Sequence, residues 1–232
     1  MSAPQAIIFD VDGTLAETER DGHRPAFNQA FAEACLDWHW DEHLYGELLA
    51  VTGGKERIRH FAERHAPAIA ARADFPALVQ RLHAAKTRHY VAIVESGALP
   101  LRPGIGQLIA AARLAGIRLA IATTTSPENV DALLRASLAP ESAGWFEVIG
   151  AGDIVPAKKP APDIYLWVLE RLGLPAAACV AIEDSANGLR AACAAGLRTV
   201  VSVGEYTRND DFSGAARVLG EQEAPSLAHL LA

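Results

Sequence analysis

The stretch "AIIFDVDGT", Ala6 to Thr14, decides the fold. Its first four residues are apolar with no polar alternation, which reads as a short strand buried on both faces. Asp10 and Asp12 stand at the carboxyl end of that strand, with Gly13 and Thr14 turning the chain away. A single aspartate after a strand is most often a turn or helix cap. Here the pattern recurs: a second apolar run, "CVAI" (179–182), ends in Glu183 and Asp184.

Three more apolar runs fit the same scheme: "IRLAIA" (117–122), "FEVIG" (146–150) and "TVVSV" (199–203). Between the runs lie helical patterns. One, over 104–115, puts Ile105, Leu108, Ile109 and Ala112 on one face and stops at Gly116; another follows Pro162, turns Ile164, Trp167, Val168 and Leu172 inward and closes at Gly173. Buried strands alternating with helices predict an α/β, doubly wound parallel sheet.

Residues 17–92 break the rhythm. They hold no convincing strand but several amphipathic patterns: Phe27, Ala30, Phe31 and Ala34; Ile58, Phe61, Ala62 and His65; then Leu78 and Leu82. The division expected is a core of 1–16 and 93–232 with a helical cap of 17–92. The chain would return near "LPLRPG" (99–104), where Pro and Gly suit a hinge. Ligands of open α/β sheets bind beyond the strands' carboxyl ends, so the insertion would cover them as a lid. Trp38 and Trp40 are expected in the core of that lid.

Composition narrows the chemistry. The chain has 232 residues, half of them hydrophobic, and a net charge of -7. That charge argues against nucleic acid or an anionic membrane as the partner, though a local cation can still serve a phosphorylated one. Cys35, Cys179 and Cys193 form no metal-ligand or disulfide framework, which predicts a reducing compartment. No leader and no apolar run of about 20 residues is seen, so a cytoplasmic protein is expected.

If both acidic strand ends are central, Asp10, Asp12, Glu183 and Asp184 converge on one edge of the sheet. Like charges so close do not all ionise without a cation. An oxygen-rich, sulfur-free set points to Mg²⁺. Two further strand ends supply what a phosphate needs. "TTTS", Thr123 to Ser126, offers hydroxyls and backbone N–H groups at a helix start, and Lys158 and Lys159 open "KKPAPDIY".

Taken in order, "DVDGT", "ATTTS", "KKPAPDIY" and "IEDSANG" resemble the four motifs of the haloacid-dehalogenase-like phosphohydrolases, over almost the whole chain. The resemblance implies a Rossmann-like catalytic core under a cap, and the second aspartate of the first motif favours phosphoryl transfer over dehalogenation. It implies Asp10 as nucleophile and Asp12 as general acid and base, the latter with a raised pKa. It also implies Mg²⁺ on Asp10, the Asp12 carbonyl and Asp184, with Glu183 as ligand or support. Thr123 and Lys159 would hold the transferring oxygens, Lys159 being preferred to Lys158 because it directly precedes "PAPD".

The insertion bears on substrate. Thr52, Gly53, Gly54 and Lys55, in "VTGGKERI", read as an anion nest at a helix start. In the related phosphosugar mutases and phosphatases a basic residue here grips a distal phosphate, so the resemblance implies that Lys55 does so with Thr125 and Ser126, with Thr124 also on the substrate. The segments "LAETERDGHRPAFNQAF", "DWHWD" and "TGGKERI" resemble the CbbY-type branch, which is associated with carbon fixation and dephosphorylates a xylulose bisphosphate. Glu17 and His23 would then face the sugar. In the related β-phosphoglucomutases the corresponding histidine follows its threonine by four residues, whereas His23 follows Thr18 by five, which leaves its aim open. The expectation is a monomeric, Mg²⁺-dependent phosphatase acting on a small sugar phosphate. A phosphoglucomutase-like mutase, a phosphoglycolate phosphatase and a non-catalytic phosphometabolite-binding protein are the alternatives. The segment after Gly204 reads as a closing strand and helix with no assigned chemistry.

Overall fold

The computed structural model describes residues 3–231. Six parallel strands form one sheet in the order β3-β2-β1-β4-β5-β6: β1 Ala6–Phe9, β2 Arg118–Ala122, β3 Val148–Gly150, β4 Cys179–Glu183, β5 Arg198–Ser202 and β6 Arg217–Leu219. All four residues of β1 are fully buried, and they alternate between two apolar layers. Ile7 and Phe9 join Leu108, Ile121 and Leu133 on one face, while Ala6 and Ile8 join Tyr165, Val168 and Ala181 on the other. That alternation explains the apolar run, since each side chain meets covered surface.

Ten α-helices occur among the described residues. α1 Arg24–Glu33, α2 Glu42–Leu48, α3 Gly54–His65, α4 Pro67–Ala70 and α5 Phe75–Glu95 lie between β1 and β2. Five accompany the rest of the sheet: α6 Ile105–Leu114, α7 Pro127–Ser137, α8 Asp163–Leu172, α9 Ala186–Ala194 and α10 Leu227–Leu231. α8 ends as expected, with Gly173 in the left-handed region at φ 65°. α2 starts on Asp41, whose side chain accepts from the Leu44 N–H at 2.8 Å, worth about 1 kcal/mol.

The inserted helices have their own apolar cluster, with Phe27, Phe31, Trp40, Tyr45, Ile58, Phe61 and Leu82 buried together and Trp38 packed at its edge. Ala34 and His65 fall outside it, being exposed at the ends of their helices. The expected boundary at 92/93 falls inside α5, which continues to Glu95 and lends Tyr90 and Val94 to the core layer under β1. The chain leaving and the chain returning meet at a bridge between Ala16 and Leu101. Among the described residues, no helix is long and apolar enough to cross a membrane.

Candidate active site

The parallel register puts the carboxyl ends of β1, β2, β3 and β4 on one edge, and the expected residues collect there. Asp10 follows β1, its N–H donating to the Ile182 carbonyl at 3.0 Å. Thr123 follows β2 in the same way, bonded to Gly150 at 2.9 Å. Glu183 ends β4 and Asp184 follows it. Lys159, from the loop after β3, reaches in and donates to Asp10 Oδ1 and Glu183 Oε1, both at 2.6 Å. Lys158 turns away to Asp153 and the Gly152 carbonyl.

Asp10, Glu183 and Asp184 bring one carboxylate oxygen each within 4.8 Å of one another. Burial pushes Asp10 up to about 8 against the pull of Lys159. Asp184 is raised well above its ordinary value, by burial first and then by Asp10 and Glu183. Burial works against the Lys159 ammonium, yet the two carboxylates hold its pKa above the usual lysine value. Two carboxylates therefore share one ammonium, and the third, Asp184, stands beside them without it. Their all-oxygen donor set fits a hard divalent cation such as Mg²⁺, which would relieve that repulsion. Glu183 Oε1 also accepts from the Tyr165 hydroxyl, so Asp184 is the freest of the three and Asp10 keeps its second oxygen.

Asp12 behaves otherwise than expected. Burial would raise it, but His23, Thr18 and the charge of Lys86 outweigh that and hold it at about 2. Thr18 Oγ1 donates to Asp12 Oδ1 at 2.6 Å, and His23 Nε2 meets the same oxygen at 2.8 Å. The five-residue spacing is what a π-helical turn accommodates, and Glu19–His23 is such a turn. It carries His23 inward, buried and stacked on Tyr90 with ring centroids 4.1 Å apart.

A cavity of about 490 Å³ lies between cap and core. Asp10, Asp12, Thr123, Lys159 and Asp184 form its floor, and Glu17, Thr52, Arg57 and Thr124 stand around it. Glu17 pairs with Arg102 at 3.2 Å. The expected nest is divided. Gly53, Gly54, Lys55 and Ser126 line a neighbouring cleft that shares Thr124 with the cavity, and Lys55 is paired with Asp153 of the core. Thr125 is buried, its hydroxyl accepting from Asn129 at 3.0 Å. Gly53 takes a φ of 99°, which favours glycine, just before α3, and Lys55 reaches the core loop at Asp153.

Several groups escaped the sequence reading. Arg57, buried in α3, donates to the Tyr45 hydroxyl at 2.8 Å and lies 3.7 Å from Glu19. It was hidden as the polar residue beside an apolar position. Lys86 sits over the Phe27 and Tyr90 rings, its pKa brought down to about 8 by burial. Tyr165 stood in the quoted motif but carried no role. The loop after β5 brings Glu205, Tyr206 and Asp210 to the cavity, where no chemistry was expected.

An acidic strand-end centre with a buried lysine, under a helical cap, is a setting suited to a phosphorylated substrate. Residues 4–196 match the model of the haloacid dehalogenase-like hydrolases. The chain belongs to that family and is an enzyme of the phosphatase type. It is 54% identical over 229 residues to the plasmid-borne protein CbbY of Cupriavidus necator, covering 97% of this chain and 90% of that one. The crystal structure of CbbY from Rhodobacter sphaeroides with phosphate superposes with a TM-score of 0.86 at 52% identity, 93% of each chain being covered. A mutant of the same protein, solved with xylulose-1,5-bisphosphate, gives the same TM-score and identity.

Proposed function

We propose that this sugar-phosphate phosphatase is Mg²⁺-dependent and removes one phosphate from xylulose-1,5-bisphosphate. The observation that carries the reading is the joint placement of Asp10, Lys159 and Asp184 on the floor of a cavity roofed by cap residues. The likeness to CbbY, seen elsewhere with that bisphosphate, supports the substrate.

Asp10 attacks phosphorus in line, and the phosphorus–oxygen bond to the sugar breaks as the aspartyl-phosphate forms. Asp12 is the proton carrier: the leaving alkoxide takes a proton from it, and the hydrolytic water gives one back. In the resting geometry Asp12 is ionised, the state that suits the second half-reaction, so for the first it takes up a proton from solvent as the substrate dianion binds beside it. Water then opens the aspartyl-phosphate, releasing inorganic phosphate and restoring Asp10. Thr123 and Lys159 hold the transferring oxygens, so that catalysis rests on positioning and charge. Asp10, Asp184 and the Asp12 carbonyl would hold Mg²⁺, which lowers the repulsion between a phosphate and the carboxylates. Glu183 holds Lys159 in place.

The cap, 17–92 with the rest of α5, chooses the substrate. Glu17 and Thr52 contact the sugar, and His23 acts on it through Asp12. The distal phosphate lies toward the cap cation Arg57, which lines the cavity. A phosphate-release screen over sugar mono- and bisphosphates, with and without Mg²⁺, tests this. Xylulose-1,5-bisphosphate should lead, and Asp10→Asn should lower kcat by at least about 10³-fold. Isomerised sugar phosphate without net phosphate release would replace the reading with a mutase, and phosphoglycolate as the equal of the bisphosphate would remove the substrate assignment.

A further inference from the structure

Arg102 is buried at the base of the cap, only 8% exposed, and it grips main chain more than acid. Nη1 donates to the carbonyls of Gly13 and Ser202, the latter at 2.9 Å. Nη2 donates to Val203 at 2.6 Å, and Nε lies 3.2 Å from Glu17 Oε1. These acceptors come from three separate stretches: the turn after Asp12, the end of β5, and the first residues leading into the cap. Arg102 itself sits on the returning chain, its N–H bonded to the Leu15 carbonyl at 2.8 Å. Gly13 is also the wall behind Asp184, because a Cβ built on it would fall 2.1 Å from Asp184 Oδ2.

A buried guanidinium is tolerated when its donors are satisfied, and its planar fork serves several acceptors at once, which a lysine ammonium does not reproduce. We propose that Arg102 is a positioning residue that fixes the turn behind Asp184 through the Gly13 carbonyl and aims the Glu17 carboxylate into the cavity. The second part rests on the sugar contact proposed for Glu17. One side chain thereby ties the carboxylate that would hold the metal to the carboxylate that meets the sugar.

The test uses R102K, E17Q and the double variant in the full chain. Mg²⁺ binding is read by titration calorimetry without substrate, and KM is read with xylulose-1,5-bisphosphate and with p-nitrophenyl phosphate, which has no sugar hydroxyls. R102K should weaken Mg²⁺ binding about tenfold and raise the bisphosphate KM by a similar factor, the size expected for one charge-assisted hydrogen bond. Its KM for p-nitrophenyl phosphate should move far less. In the E17Q background the R102K effect on the bisphosphate KM should vanish, while the Mg²⁺ effect persists. R102K that melts earlier yet binds Mg²⁺ and bisphosphate normally would overturn the proposal. R102Q serves if R102K does not fold. An unchanged bisphosphate KM in E17Q would remove the sugar contact alone, leaving calorimetry to judge the hold on the turn.

Discussion

Asp12 receives two donors on one oxygen, from Thr18 and His23, and that is why its carboxyl stays ionised to about pH 2. The stability this gives is present above the unfolded value near 3.8 and is lost as pH falls toward 2. Replacing His23 with Asn removes a lowering contact, so the folded pKa rises and burial pushes it further. The acid limb of aspartyl-phosphate hydrolysis, where Asp12 is the base, should therefore move to higher pH, which single-turnover decay of the intermediate across pH checks. Asp10 is the opposite case. Raised to about 8, it keeps its proton in the folded protein where the unfolded chain has lost it. In EDTA, the melting temperature should fall as pH rises from about 4 through 8, and saturating Mg²⁺ should flatten that slope. A melting curve in EDTA that climbs over the same range would contradict the burial argument.

The start of α9 constrains Glu183 from behind. A Cβ on Gly188 would fall 1.9 Å from Glu183 Oε2, inside the carboxylate that Lys159 and Tyr165 already hold. Gly188→Ala should lower kcat at least about tenfold and destabilise by roughly 1–3 kcal/mol, through displacement of Glu183 and then Lys159. Gly220, with nothing near its would-be Cβ, is the control: Gly220→Ala should stay within about 0.5 kcal/mol by thermal melting. Elements were legible in the sequence to the extent that their signals were local. The buried strands announce themselves by unbroken apolar runs, and α8 by the Pro and Gly that bracket it. The π turn was not legible, because one residue added between Thr18 and His23 reads equally as a changed aim or an absorbed bulge. Only packing against Tyr90 decides between them.

Across the whole molecule, cap and core are joined by polar links of different strength. Asn187 of α9 donates to Thr52 of the cap at 3.1 Å, and Asp153 of the core holds both Lys55 and Lys158. Asp153 is mostly exposed, so its pairs add little to stability. Their effect should appear in closure instead. Asp153→Ala should raise KM a few-fold with little change in melting temperature. Added salt should raise the wild-type KM while leaving the variant's nearly flat. Sequence motifs located the floor of the site because each lies just past its own strand. They missed Arg57, Lys86 and the loop carrying Tyr206, which reach the cavity through tertiary contacts with no motif of their own.

The bridge between Ala16 and Leu101 makes the two ends of the insertion near neighbours, so that topologically about eighty residues hang from the sheet as one closed loop. Nothing in the strand register depends on what that loop contains. A foreign helical insert with the same end spacing could be grafted there, provided it kept Thr18 and His23, which hold Asp12, and the residues of α1 and α5, Ala26, Tyr90 and Val94, that seal the layer under β1. On the proposed function, selectivity is in that sense an exchangeable cartridge, while the strand-end carboxylates and Lys159 are the socket.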